Sequence, residues 1–87
     1  MRVAVTGARG FIGSSLVPAL EARDHEVVSV SRDALFASPT FAGCEAVVHL
    51  ANIAHRAADA SLLAQVNVEG TRRVAQAAVA AGVRRFV

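Results

Sequence analysis

The chain has 87 residues, 54% of them hydrophobic and 18% charged, a balance that excludes disorder at a length that excludes a second domain. A fold of this size buries about 60–65% of its unfolded surface, so a self-contained version is marginally stable. All nine basic residues are Arg, and against seven acids they leave a net charge of only +2. These arginines are dispersed, pairing only as Arg72–Arg73 and Arg84–Arg85 with no aromatic residue interleaved, which argues against a nucleic-acid partner. Cys44 is the single cysteine, so no internal disulfide can form, and no Cys/His spacing suggests a metal site. Residues 1–20 do not read as a signal peptide, and no run approaches the roughly 18 apolar residues that span a bilayer. The expectation is a soluble, cytoplasmic protein without a membrane partner.

Arg2-Val3-Ala4-Val5 is a short β-branched run ending at Thr6-Gly7, which reads as a strand covered on both faces. From about Phe11 to Arg23, Ile12, Leu16, Ala19 and Leu20 recur at helical spacing, with Pro18 inside. Asp24-His25 ends that helix where Gly would be the easy left-handed residue. Val27-Val28-Ser29-Val30 is a second strand, which completes the opening of a right-handed βαβ unit with parallel strands. The stretch from Ser31 to Cys44 shows no clear period. A third strand is predicted over Ala46–Ala51 and a long helix over about Ala60–Ala81, through Leu62, Leu63, Val66, Val74, Ala77 and Ala78. Gly82 is placed to cap that helix, and Val83–Val87 begins another strand.

Thr6-Gly7-Ala8-Arg9-Gly10-Phe11-Ile12-Gly13 lies between the first strand and the first helix. In this context Gly7 permits the sharp turn, Gly10 a close approach of backbone to a diphosphate, and Gly13 close packing of helix on strand. The amides near Phe11 and Ile12 are then unpaired donors at a positive helix end, a place that favours an anion. The alternative is a glycine turn needed only for packing.

The pattern T-G-x-x-G-F-x-G resembles the extended short-chain dehydrogenase/reductase family, in particular its NAD-dependent nucleoside-diphosphate-sugar epimerases and dehydratases. Val47-Val48-His49-Leu50-Ala51 resembles the family's fourth strand, and Asn67-Val68-Glu69-Gly70-Thr71 with Gly82–Val87 its following helix and strand. The resemblance implies part of a doubly wound parallel Rossmann sheet in the order 2-1-4-5, with residues 1–87 forming a partial NAD(P)-binding domain. It implies that Gly7, Gly10, Phe11, Ile12 and Gly13 cradle the pyrophosphate and that Leu50, Ala51 and Asn52 line the cofactor. Asn67 would lie beside the cofactor or cap neighbouring backbone. His49 reads as a core histidine bonded within the sheet, with catalysis as the alternative. His55 reads as a loop residue, or one on the substrate side.

At the end of the second strand the family usually has an acid that binds the adenosine ribose; here Ser31 stands there, followed by Arg32 and Asp33. A neutral Ser with an Arg removes the repulsion of a 2′-phosphate, so NAD is expected with NADP possible. The chain also departs from the family in two ways. Asp33–Gly43 is too short for the family's intervening helix, strand and helix, so the third strand is expected to be lost or reduced to a loop. No Tyr and no Lys occur, so the Tyr-x-x-x-Lys pair that moves protons in the family is absent and no residue is assigned to catalysis. The expectation is therefore an inactive fragment holding the cofactor part of an epimerase/dehydratase. It meets a nucleotide sugar only when joined to the missing C-terminal part, and it self-associates through an open edge at Val83–Val87. The alternatives are a non-catalytic NAD(P)-sensing module and a structural fragment without ligand.

Overall fold

The computed structural model describes residues 1–31, 40–51 and 60–87, excepting the side chains of 60, 62, 63, 65 and 66. Its elements are β1 (Arg2–Thr6), α1 (Gly13–Ala22), β2 (Glu26–Val30), β3 (Ala46–His49), α2 (Ala60–Ala80) and β4 (Arg85–Phe86). The four strands form one parallel sheet in the order β2-β1-β3-β4. This is the expected N-terminal part of a doubly wound sheet, since β3 and β4 stand where the resemblance puts the family's fourth and fifth strands. The expected loss of the third strand falls on residues 32–39, outside the described residues.

The period-two alternation of strands divides the apolar residues between two layers. Val3, Val5 and Ala46 face α1, packing with Val17, Leu20, Val27 and Val48. Ala4 and Val47 face α2, packing with Val74, Ala78, Val28 and Val30. Both faces are covered, which is why the strands read as continuous β-branched runs. The segment before β3 contributes to the second layer. Phe41 is 1% exposed, and Cys44 lies buried in the same cluster. A turn places them there: the Cys44 amide donates to the Phe41 carbonyl at 3.0 Å, and Gly43 takes φ +79° at its third position, as in a type II turn.

Both helices end in the same way. In α1 the Asp24 amide bonds the Glu21 carbonyl and the His25 amide bonds the Leu20 carbonyl. In α2 the Gly82 amide bonds Val79 and the Val83 amide bonds Ala78. These paired bonds satisfy the last carbonyls, and each needs a left-handed residue at the centre. Gly82 takes φ +72° as expected, and Asp24 takes φ +65°, the only non-glycine described with positive φ. Among the described residues no helix is long and apolar enough to cross a membrane.

Candidate cofactor site

The site is built where β1 and β3 end, because parallel strands deliver all their carboxyl ends to one edge of the sheet. After Thr6 the chain turns at Gly7, whose φ of +68° lies in the left-handed region. A Cβ there would lie 2.7 Å from the Ala51 amide nitrogen and 2.9 Å from the Leu50 carbonyl carbon. The first glycine thus lets the exit of β3 close over the turn. Gly13 serves a second close approach: its Cβ would lie 2.5 Å from both the Gly7 and Ala8 carbonyl oxygens. The first turn of α1 therefore rests directly on the glycine loop.

Gly10 differs from both. Its φ is not in the left-handed region, and an added Cβ would meet only the Gly7 carbonyl oxygen, at 3.3 Å. Nothing else within the described structure requires this position to lack a side chain. It is exposed to solvent on the same loop, next to Phe11 at 94% exposure and Ile12 at 61%. Two large apolar side chains thus stand in water beside an open glycine.

The start of α1 presents bare donors. Helical bonding begins with the Ser14 amide on the Gly10 carbonyl at 2.9 Å and the Leu16 amide on Ile12 at 2.9 Å. No side chain caps the helix, and among the described residues the Phe11 and Ile12 amides show no protein acceptor. The helix starts at Gly13 instead of the expected Phe11, so Phe11 and Ile12 belong to the loop and carry its free amides. Their apolar character does not reflect a core face.

Strand β3 also stops earlier than expected, at His49. The Thr6 hydroxyl is the cause. Thr6 is fully buried, and its Oγ1 accepts from the Leu50 and Ala51 amides, each at 3.1 Å. The Leu50 amide also keeps its ladder bond to the Thr6 carbonyl at 3.1 Å, so it is the Ala51 amide that the hydroxyl turns toward β1 as the chain leaves the sheet over Gly7. His49 Nδ1 lies 2.7 Å from the same Oγ1, and His49 Nε2 lies 3.2 Å from the Thr71 Oγ1 of α2. His49 is thus the sheet-bonded histidine expected, with the addition of a helix partner that lay beyond sequence reasoning. Burial pushes its pKa below the ordinary value.

The remaining expected residues divide. Ser31 is exposed and directly follows Val30, which is in register with Thr6, so it stands level with the glycine turn. Asn67 is half-buried on α2, one helical turn before Thr71. Because the C-terminal end of α2 leads to Arg84, whose amide bonds Glu45 at the opposite end of β3, Asn67 lies toward the strands' carboxyl ends. The structure therefore gathers Gly7, Gly10, Phe11, Ile12, Gly13, Leu50 and Ala51 at one edge. Arg32, Asn52 and His55 lie outside the described residues. An open cleft of about 420 Å³ adjoins the glycine loop between α1 and β2, lined by Ala8, Arg9, Gly13, Ser14, Val17, Pro18 and Ser29. On α2, Glu69 accepts from Arg72 at 2.6 Å and Arg73 at 3.3 Å, an arrangement that lowers its pKa to about 2.

A sequence model of the NAD dependent epimerase/dehydratase family matches residues 3–87. The chain is 35% identical to a 3-beta-hydroxysteroid dehydrogenase of Mycolicibacterium neoaurum, with 99% of the chain matched to 31% of that protein. It is 36% identical to an L-arabinose 1-dehydrogenase (NAD(P)(+)) of Haloferax volcanii, with 99% of the chain matched to 39% of that protein. Among solved structures, MoeE5 in complex with UDP-glucuronic acid and NAD superposes with a TM-score of 0.85 at 31% identity, covering 99% of this chain and 35% of MoeE5. The chain thus spans about a third of the length of the curated relatives it matches. With the glycine loop, the parallel order β2-β1-β3-β4 and a match over residues 3–87 in agreement, the chain belongs to the NAD-dependent epimerase/dehydratase family.

Proposed function

We propose that residues 1–87 form the NAD(P)-binding part of an enzyme that epimerises or dehydrates a nucleotide-linked sugar. Gly10 is the observation that carries the nucleotide half. The protein itself leaves space for a side chain there, and the position opens beside the uncapped start of α1. A diphosphate accounts for both features, since it needs close backbone approach and bare amide donors. In this reading the Phe11 and Ile12 amides hold the diphosphate, the exposed Phe11 and Ile12 side chains are shielded by the bound nucleotide, and Leu50 and Ala51 border it at the end of β3. Ser31, level with the turn, provides no negative charge, which supports NAD with NADP tolerated.

The sugar half rests on the family and on the UDP-sugar complex of the MoeE5 relative. The relatives named above act on a steroid and a pentose as well, so the segment they share with this chain is best read as nucleotide-holding. When bound, the nicotinamide supplies hydride transfer to and from a substrate carbon. These 87 residues contain no Tyr and no Lys to move the accompanying proton, so they bind and orient without turnover. Titration calorimetry with NAD, NADH, NADP and NADPH tests the reading. Saturable heat with NAD or NADH is expected, and no heat with any of the four would leave a structural piece without ligand.

Among the described residues the outer edge of β4 is unpaired, with Phe86 and Val87 exposed beside it. Such an edge supports self-association of this chain by strand pairing. A single monomeric species in sedimentation across a wide concentration range would count against it.

A further inference from the structure

The hydrogen bonds joining β1, β3 and α2 can be assigned by counting donors. Thr6 Oγ1 already accepts from the Ala51 amide and shares the Leu50 amide with the Thr6 carbonyl, each at 3.1 Å. Its own hydrogen is then directed to His49 Nδ1, 2.7 Å away, which must be an acceptor. A neutral His49 therefore carries its proton on Nε2, which donates to Thr71 Oγ1 at 3.2 Å. Thr6 and His49 are register partners on the sheet face that α2 covers, so the line crosses three elements without a gap. The two amides on Thr6 belong to the same backbone that stands 2.7–2.9 Å from the Cβ position of Gly7. Whatever orients the Thr6 hydroxyl therefore fixes the height of the β3 exit above the first glycine.

We infer that His49 is a positioning residue: anchored to Thr71 on α2, it orients the Thr6 hydroxyl, which holds the Leu50–Ala51 backbone against Gly7 in the geometry that receives a nucleotide. The inference rests on the nucleotide reading above for its consequence, though not for its geometry. The ring's hydrogen-bond partners are both hydroxyls. The charged side chains on the surrounding elements are Arg2 of β1, Glu45 before β3, Glu69, Arg72 and Arg73 of α2, and Arg84 and Arg85 at β4; burial alone lowers the His49 pKa. A protonated ring would present a hydrogen to an Oγ1 already taken by the Ala51 amide and the shared Leu50 amide, which breaks the line at Thr6.

Three measurements test this. Long-range ¹⁵N–¹H spectra of the wild-type ring at neutral pH are expected to show the Nε2–H tautomer, and the Nδ1–H tautomer would overturn the assignment. Thr71→Val keeps the shape of an exposed helix residue but removes the anchor. It is expected to speed exchange of the Leu50 and Ala51 amides and to weaken NAD binding, each by about two- to tenfold. Thr71→Ser keeps the hydroxyl and is expected to match wild type in both. Wild-type exchange and affinity in Thr71→Val, or equal losses in Thr71→Ser, would overturn the proposal. If the wild-type chain binds none of the four nucleotides, the proposed function fails, while the tautomer and the exchange rates still decide whether the line exists.

Discussion

Alanine at Gly10 and alanine at Gly13 remove the same feature from one loop, yet the structure predicts opposite outcomes. At Gly13 the new methyl would lie 2.5 Å from two carbonyl oxygens and 2.6 Å from a carbonyl carbon, all of them backbone. No rotamer relieves the overlap, so α1 must lift from the loop. Overpacking of this kind costs about 1–3 kcal/mol, and three backbone clashes place it near the upper end. For a domain of this size about 3 kcal/mol lowers Tm by about 12–24 °C. At Gly10 the methyl meets one oxygen at 3.3 Å, a contact relieved by a shift of a few tenths of an ångström. Reduced freedom of the unfolded chain offsets it by about 0.4–1 kcal/mol, so the Tm of Gly10→Ala should stay within about 4 °C of wild type. The methyl nevertheless projects into the space assigned to the diphosphate, and NAD affinity should fall by about tenfold or more, roughly 1.4 kcal/mol. Thermal melts followed by calorimetric titration of both variants separate the two effects. The reasoning fails if Gly10→Ala melts as early as Gly13→Ala, because Gly10 would then be a packing residue. It fails equally if Gly10→Ala folds normally and binds NAD like wild type.

Three further outcomes follow from the packing and the charges. Phe41→Ala removes the largest fully buried side chain and should cost about 3–5 kcal/mol, a large part of the stability expected for this length, read as a lower urea midpoint with an unchanged slope. Asp24→Gly relieves a left-handed φ of +65° and should gain about 0.5–1 kcal/mol, raising Tm by a few degrees; a decrease would mean that the carboxylate has a role the cap geometry does not show. The His49 pKa is lowered from 6.5 in the folded chain, so between that lowered value and 6.5 the unfolded chain binds more protons. Stability should therefore rise with pH across that window and level off above it, and urea midpoints in His49→Asn should lose that part of the slope.

The strands and helices were legible because each carries a local signal. Val3 and Val5 alternate with Ala4 in a run short enough only for a covered strand, and Gly82 stands where α2 must reverse. Element ends are less legible. The apolar period of α1 runs through Phe11 and Ile12 and the apolar run of β3 through Leu50 and Ala51, so the pattern includes them in those elements. All four lie beyond the ends of their elements, at the carboxyl edge of the sheet. Periodicity reports that a residue is apolar, without reporting whether protein or ligand covers it. Boundaries drawn from it are therefore extended wherever exposed apolar residues adjoin an element.

Phe41 is illegible for a different reason. A buried aromatic in a segment without period owes its place to the turn at Gly43 and to the cluster it shares with Val47 and Val74, which the period of that segment does not show. The same holds more strongly for Thr6, His49 and Thr71. His49 is 43 residues from one partner and 22 from the other, and only the parallel register of β1 with β3 brings the first pair side by side. In the sequence Thr6 stands before a glycine and Thr71 within the middle of a helix, two apparently unrelated positions. Their connection is a property of the assembled sheet. It places a buried hydroxyl within reach of both the loop that would receive phosphate and the strand that would border the nucleotide. Loss of the exposed Thr71 hydroxyl should therefore be felt at the Ala51 and Leu50 amides, across the sheet from it.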